Sequence, residues 1–203
     1  MRRRGEAVLG KSRGSYEHGH SGVLNISWSD VARLCRDLVE KIEESFHPDV
    51  VVGITKGGVI PGAIIASMLR RDFYPVHVTR REQDEVTRPK PALLAKIPTD
   101  VVKDRLVVVV DDIVASGDTL RVAVDECWAQ GAAEVKTAAL FLHSTSHRPD
   151  WFGLETDDLV IQPWDALVYS QGRWSLNEDY RTKLEEMGVS TDDAVTAVLL
   201  ETT

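Results

Sequence analysis

The stretch that most limits what this chain can fold into is Leu106-Val107-Val108-Val109-Val110-Asp111-Asp112-Ile113-Val114-Ala115-Ser116-Gly117-Asp118-Thr119. Four successive valines leave no polar face. They predict a strand buried on both sides, as in a parallel sheet covered by helices. Asp111 and Asp112 stand where that strand emerges. Residues Ala115 to Thr119 then turn into a helix predicted over Thr119–Ala129, with Gly131 as its C-terminal stop. Such a turn presents backbone N–H groups and the positive end of a helix dipole to an anion. Ser116 and Thr119 add hydroxyls, and Gly117 lets a ligand approach the backbone closely. Isolated aspartates at a strand end are ordinarily solvated caps. Set between a buried strand and an anion-binding turn, these two suggest a group for a diol or a metal beside a phosphate cradle. A sugar phosphate needs that combination.

The same rhythm runs through the chain. Val31, Leu34, Cys35, Leu38, Val39, Ile42 and Phe46 recur every three or four residues and predict an amphipathic helix. Ser27 or Ser29 is its N-cap, and His47-Pro48 its end. Val50–Ile54 predicts a buried strand, followed by a glycine-rich turn and a helix from Pro61 to Arg70. Tyr74–Val78, Val135–Leu142 and Leu159–Gln162 predict further strands. Asn177–Met187 and Thr191–Leu200 predict two terminal helices parted by Gly188. Residues 79–97 show no period and read as a long connection, of the kind that is usually functional or mobile. Strands alternating with helices imply right-handed crossovers and an α/β fold: a twisted, mainly parallel sheet of about five strands flanked by helices. Ligands of such sheets bind at the carboxyl ends of the strands.

Residues 1–22 are rich in Gly, Ser, Arg and His, have no apolar period, and read as a flexible basic arm. Residues 23–170 carry the sheet, and residues 171–203 form a C-terminal helical extension. A chain of 203 residues suits one domain with appendages. No apolar run nears the ~20 residues of a membrane span, and the basic N-terminus lacks the hydrophobic stretch of a secretory signal. The two cysteines, Cys35 and Cys127, suit a reducing cytosol rather than a disulfide framework. A net charge of −8 argues against nucleic acid as the main partner, because a phosphate backbone requires a basic surface. The expectation is a cytoplasmic protein with neither a membrane nor a nucleic acid as partner.

Residues 107–120 resemble the phosphoribosyl-diphosphate (PRPP) signature of type I phosphoribosyltransferases. They contain neither the G-K-[ST] of a P-loop nor a dinucleotide fingerprint. The resemblance implies that Asp111 and Asp112 hold the ribose 2′- and 3′-hydroxyls. It also implies that Ala115, Ser116, Gly117, Asp118 and Thr119 cradle the 5-phosphate. Gly53-Ile54-Thr55-Lys56-Gly57-Gly58 is similar to the family's pyrophosphate loop. That similarity assigns Thr55, Lys56, Gly57 and Gly58 to the diphosphate, and gives Lys56 a catalytic role beside Asp111 and Asp112. In the family a mobile loop closes over PRPP where residues 79–97 stand here with Arg80, Arg81, Arg88, Lys90 and Lys96; Arg80 and Arg81 are the implied PRPP contacts. Leu159-Val160-Ile161-Gln162-Pro163-Trp164-Asp165 resembles the base-binding segment of xanthine-guanine and archaeal purine phosphoribosyltransferases. Arg148-Pro149-Asp150-Trp151-Phe152 looks like the same subgroup. The implied base site is Ile113, His143, Leu159, Val160, Ile161, Trp164 and Asp165. The implied cofactor is Mg²⁺ riding on the diphosphate, with Asp111, Asp112 and Asp165 as its protein ligands. A small hood over the sheet is implied too, and so is a homodimer or higher homo-oligomer, since dimers are common in the family. The resemblance spans Ser27 to Asp165.

Three positions depart from the 6-oxopurine members. Ala115 stands where an Asp usually handles the proton on purine N7, and alanine transfers no proton. His143, in Phe141-Leu142-His143-Ser144, is nearest to the lysine that usually donates to the 6-oxo group. A histidine can donate to a carbonyl, or accept when neutral. Leu159 replaces the aromatic that stacks on the base, leaving Trp151 or Trp164 for that task. The implied activity is transfer of the 5-phosphoribosyl group from PRPP to a ring nitrogen of a purine-like base, with release of diphosphate, as in purine salvage. Transfer to a non-purine or specialised heterocycle is one alternative, and PRPP or nucleotide sensing without catalysis is another.

Overall fold

The computed structural model describes residues 21–82, 85–144 and 147–191. It opens with β1 (Val23–Asn25) and α1 (Trp28–Glu43). Ser27 caps α1: its hydroxyl accepts from the Asp30 N–H at 3.1 Å, and the Asp30 carboxylate accepts from the Ser27 N–H at 3.2 Å. Val31, Leu34, Cys35, Leu38 and Ile42 form its buried stripe. The helix stops at Glu43, short of the His47-Pro48 expected from sequence. Phe46 therefore reaches the Trp151 ring, 5.9 Å away, from beyond the helix end.

Next come β2 (Val50–Ile54), α2 (Val59–Leu69) and β3 (Asp72–Thr79). Because a first turn tolerates proline, α2 begins before Pro61 rather than at it. They are followed by β4 (Arg81–Glu82), β5 (Glu85–Val86), β6 (Ala92–Ala95), α3 (Thr99–Val102), β7 (Leu106–Val114), α4 (Asp118–Ala129) and β8 (Glu134–Leu142). The chain then continues through β9 (Trp151–Glu155), β10 (Leu159–Ile161), β11 (Leu167–Ser170), β12 (Arg173–Leu176) and α5 (Glu178–Glu186).

The main sheet has six strands in the order β6-β3-β2-β7-β8-β9, parallel throughout except at β6. On one face Val51, Val108 and Val110 pack against α1 and α2. On the other, Val50, Val52, Val107 and Val109 pack with Leu120, Ala123 and Cys127 of α4. The valines of β7 are thus buried on both sides, as their run predicts. A third cluster joins Leu159 and Ile161 of β10 to Ala166, Leu176, Tyr180 and Leu184.

Three expectations need correction. The connection over residues 79–97 is not structureless: it carries the β4–β5 hairpin and β6, an edge strand paired antiparallel to β3. The fifth strand of the main sheet is β9, not Leu159–Gln162. The latter pairs in parallel with β1 instead, because a short buried apolar run declares its type but not its neighbour. Asp111 and Asp112 do not follow the strand but lie inside it, since pairing with β8 continues to Val114 opposite Leu142.

The β11–β12 hairpin turns at Gln171 and Gly172, both at positive φ, so it crosses the 170/171 boundary. Asn177 then caps α5. Among the described residues no helix is long and apolar enough to cross a membrane. Residues 1–20 of the expected arm and the expected last helix beyond Thr191 lie outside the described residues.

Candidate active site

The site is built where β2 ends beside β7, which runs on to Val114. Thr55 follows β2; its N–H donates to the Val76 carbonyl at 2.9 Å, and its peptide to Lys56 is cis. The glycines after it lie directly on β7. A side chain at Gly57 would occupy the space of the Asp112 carboxyl group. One at Gly58 would come within 2.6 Å of the Val110 carbonyl oxygen and 2.8 Å of that of Ile54. The loop and the acidic strand thus touch through bare backbone, which is why glycine is needed twice.

Neighbouring residues of a strand face opposite ways. Asp112 faces Gly57 and is half-buried, whereas Asp111 is 8% exposed. Burial, reinforced by the Asp112 charge, pushes the Asp111 carboxyl well above the usual carboxylate range. Its Oδ1 accepts the Asp112 N–H at 3.0 Å.

Asp111 shares a pocket with Ile113, Val114, Ala115, Gly117, Thr119 and Leu120, so it opens onto the turn at residues 115–119. There Gly117 takes φ +76°, the Ser116 hydroxyl donates to Asp118 at 3.2 Å, and Arg121 donates to Asp118 at 3.1 Å. The α4 N-terminus follows at once. His147, which no local pattern marks, packs over Gly117.

The basic residues after β3 are partly committed. Arg80 Nε donates to the Arg88 carbonyl at 3.2 Å and Arg88 Nη1 to the Arg81 carbonyl at 3.0 Å, stapling the hairpin base. Arg81 reaches Asp179 of α5 at 2.6 Å. Lys90 and Lys96 are exposed.

Asp165 is half-buried and feels the charge of Asp112. Burial lifts its carboxyl to about 6; the Tyr180 hydroxyl and Arg81 pull it down, while Asp112 and Asp179 push it up. These influences put Asp112, Asp165 and Arg81 within one electrostatic neighbourhood. Burial and the adjacent Asp165 likewise push the Tyr180 phenol up.

The rest of the expected base site is mostly packed away. Leu159, Val160 and Ile161 are buried in the hydrophobic clusters. Trp164 stands 6.0 Å from Trp28, ring to ring, and packs on the main core. Trp151 is removed from the site: it begins β9 opposite Ala138, well short of the strand's carboxyl end, and packs on Phe46. His143 is 8% exposed, and its Nδ1 sits 2.6 Å from the Thr156 carbonyl. A carbonyl only accepts, so Nδ1 carries a hydrogen and is committed to Thr156 rather than to a ligand.

Among the described residues no three His, Cys, Asp or Glu side chains are grouped to hold a metal. Asp111, Asp112 and Asp165 are therefore not a chelating trio. The residues do fit a Mg²⁺ ion that arrives on a diphosphate. Asp112 is a hard oxygen donor, and such an ion takes one or two carboxylates besides phosphate and water. The buried Thr55 hydroxyl has no hydrogen-bond partner among the described residues and stands ready for a ligand oxygen.

The phosphoribosyl transferase domain family matches residues 27–170. The chain belongs to the phosphoribosyltransferase family. Its expected place among PRPP-dependent glycosyltransferases and its expected α/β fold are both borne out. A purine phosphoribosyltransferase from Pyrococcus horikoshii is 30% identical, with a TM-score of 0.62 over 73% of this chain and 97% of that one. The hypoxanthine-guanine phosphoribosyltransferase of Schizosaccharomyces pombe is 40% identical over 48 residues. That match covers 24% of this chain and 23% of that protein, about a quarter of its length. A Neisseria gonorrhoeae protein solved with ppGpp bound shares the fold at 22% identity, with a TM-score of 0.62 over 84% of this chain and 99% of that one.

Proposed function

We propose that this phosphoribosyltransferase moves the 5-phosphoribosyl group of PRPP to a ring nitrogen of a purine-like base and releases diphosphate, as in purine salvage. The observation that carries the reading is the seat of the Asp112 carboxylate on Gly57, which joins the acidic strand to the glycine loop in one site. Asp112 and Asp111 hold the ribose hydroxyls. Residues 115–119 offer their N–H groups and the α4 dipole to the 5-phosphate. The backbone of Gly57 and Gly58, with Thr55 and Lys56, grips the diphosphate as charge builds on it. Arg80 and Arg81 approach from the hairpin base and help exclude water. Asp165 addresses the base, and Asp112 would hold, with the ligand's own oxygens, a Mg²⁺ ion that would neutralise charge on the leaving diphosphate. The transition state resembles an oxocarbenium ion, by analogy with glycoside hydrolysis. The protein works in the cytoplasm, with residues 23–170 as its catalytic part.

A second reading is transfer to a heterocycle that is not a 6-oxopurine. It is favoured by Ala115, which carries no proton, and by His143, whose Nδ1 faces the Thr156 carbonyl at 2.6 Å. One experiment separates the readings: PRPP- and Mg²⁺-dependent diphosphate release across purines, pyrimidines and orotate. Release with guanine, hypoxanthine or xanthine supports the first reading, and release with another base alone supports the second. PRPP binding without release from any base would replace both with a non-catalytic PRPP sensor. Asp112→Asn should weaken PRPP binding strongly and leave the melting temperature nearly unchanged.

A further inference from the structure

The family match ends at residue 170, yet the residues just before and within the first turn of α5 grip the site. Asn177, the N-cap, donates from Nδ2 to the Asp165 carbonyl at 3.1 Å and from its backbone N–H to the Ala166 carbonyl at 2.9 Å. The Tyr180 hydroxyl donates to Asp165 Oδ1 at 2.8 Å and accepts the Gln162 N–H at 3.4 Å. Residues 177–180 therefore hold the whole Gln162–Ala166 turn, backbone and side chain alike. The Tyr180 ring is 9% exposed and packs with Leu159, Ile161 and Leu184, so its hydroxyl is fixed by the core. An unpaired aspartate samples several χ1 and χ2 values. With Oδ1 taken by Tyr180, the Asp165 carboxylate has one orientation, and Oδ2 is the oxygen left to address a ligand.

We propose that Tyr180 is a positioning residue for the acceptor base: it fixes the Asp165 carboxylate from a helix outside the family domain. The inference rests on the reading that Asp165 addresses the base side of the site. Tyr180→Phe keeps the ring and removes only the hydroxyl. In the full-length protein this variant should raise the KM for the base about tenfold, the scale of one hydrogen bond to a charged group. Mg²⁺·PRPP binding by calorimetry should stay within twofold, and the melting temperature within a few degrees. Asp165→Asn should raise the same KM, and the double variant should be no worse than Asp165→Asn alone, because the two residues act in series. Additive losses, an unchanged base KM, or an equal loss of PRPP affinity would each overturn the proposal.

If the wild type releases no diphosphate, the enzymatic reading fails separately. The same cycle is then read by calorimetry with inosine or guanosine monophosphate. Weaker binding by Tyr180→Phe, with nothing added by the double variant, sustains the positioning role; equal binding ends it. A wild type that binds neither monophosphate overturns the inference along with the reading beneath it.

Discussion

Gly57→Ala is the substitution that best separates fold from site. The new methyl would land on the Asp112 carboxyl group. Asp112 is half-buried at the end of a flexible side chain, so it can swing aside at a cost of about 1 kcal/mol for a poorer rotamer. The fold should survive. The displaced carboxylate no longer reaches the ribose, and a hydrogen bond to a charged group is worth about 1.5–3 kcal/mol. PRPP affinity should therefore fall roughly ten- to a hundredfold, at about 1.4 kcal/mol per decade. Gly58→Ala is the contrasting control. Its methyl would meet the carbonyl oxygens of Val110 and Ile54 at 2.6 and 2.8 Å, and backbone has no rotamer to retreat into. That overpacking should cost up to ~3 kcal/mol and lower Tm by roughly 5–10 °C. Calorimetric titration with PRPP and thermal melts of both variants decide the matter. A Gly57→Ala protein that binds PRPP within twofold of wild type would refute the placement of Asp112 at the ribose.

Two further outcomes follow from groups the fold buries. The Asp165 carboxyl sits at about 6 against an ordinary 3.8, so the folded state binds more protons than the unfolded chain in between. Stability therefore falls as pH rises through that window, by roughly 3 kcal/mol for a gap of about two units. Asp165→Asn should gain on wild type in urea unfolding at pH 8 far more than at pH 4; an equal difference at both would contradict it. His143→Ala removes the partner of the Thr156 carbonyl and should cost about 1–3 kcal/mol. PRPP affinity should stay within twofold while base preference changes, and a selective loss of PRPP binding would take His143 out of the base site.

What was legible in the sequence is what local chemistry decides. Four valines name a buried strand wherever they occur, and a serine at 27 or 29 ahead of an amphipathic run announces a helix start. What was not legible depends on neighbours distant in the chain. Asp111 and Asp112 lie within β7 because β8 is long enough to keep pairing beyond them. Ala92–Ala95 becomes a strand because β3 offers it an open edge. Leu159–Ile161 declares its extended form, but nothing in it points to Val23–Asn25 as its partner. The candidate site divides in the same way. The phosphate turn and glycine loop are continuous segments and could be read directly. The orientation of His143 is set by Thr156, and that of Asp165 by Tyr180; neither relation leaves a local trace.

The continuation of β7 through Val114 gives the site a built-in ruler. Between Asp112 and the turn at residues 115–119 the chain is extended and hydrogen-bonded to β8, advancing about 3.3 Å per residue. On the proposed assignment, paired strand rather than loop spans most of the gap from the ribose anchor to the phosphate anchor. A pentose 5-phosphate would then be gauged against that length as a whole, and a sugar one carbon longer would meet one anchor or the other, but not both.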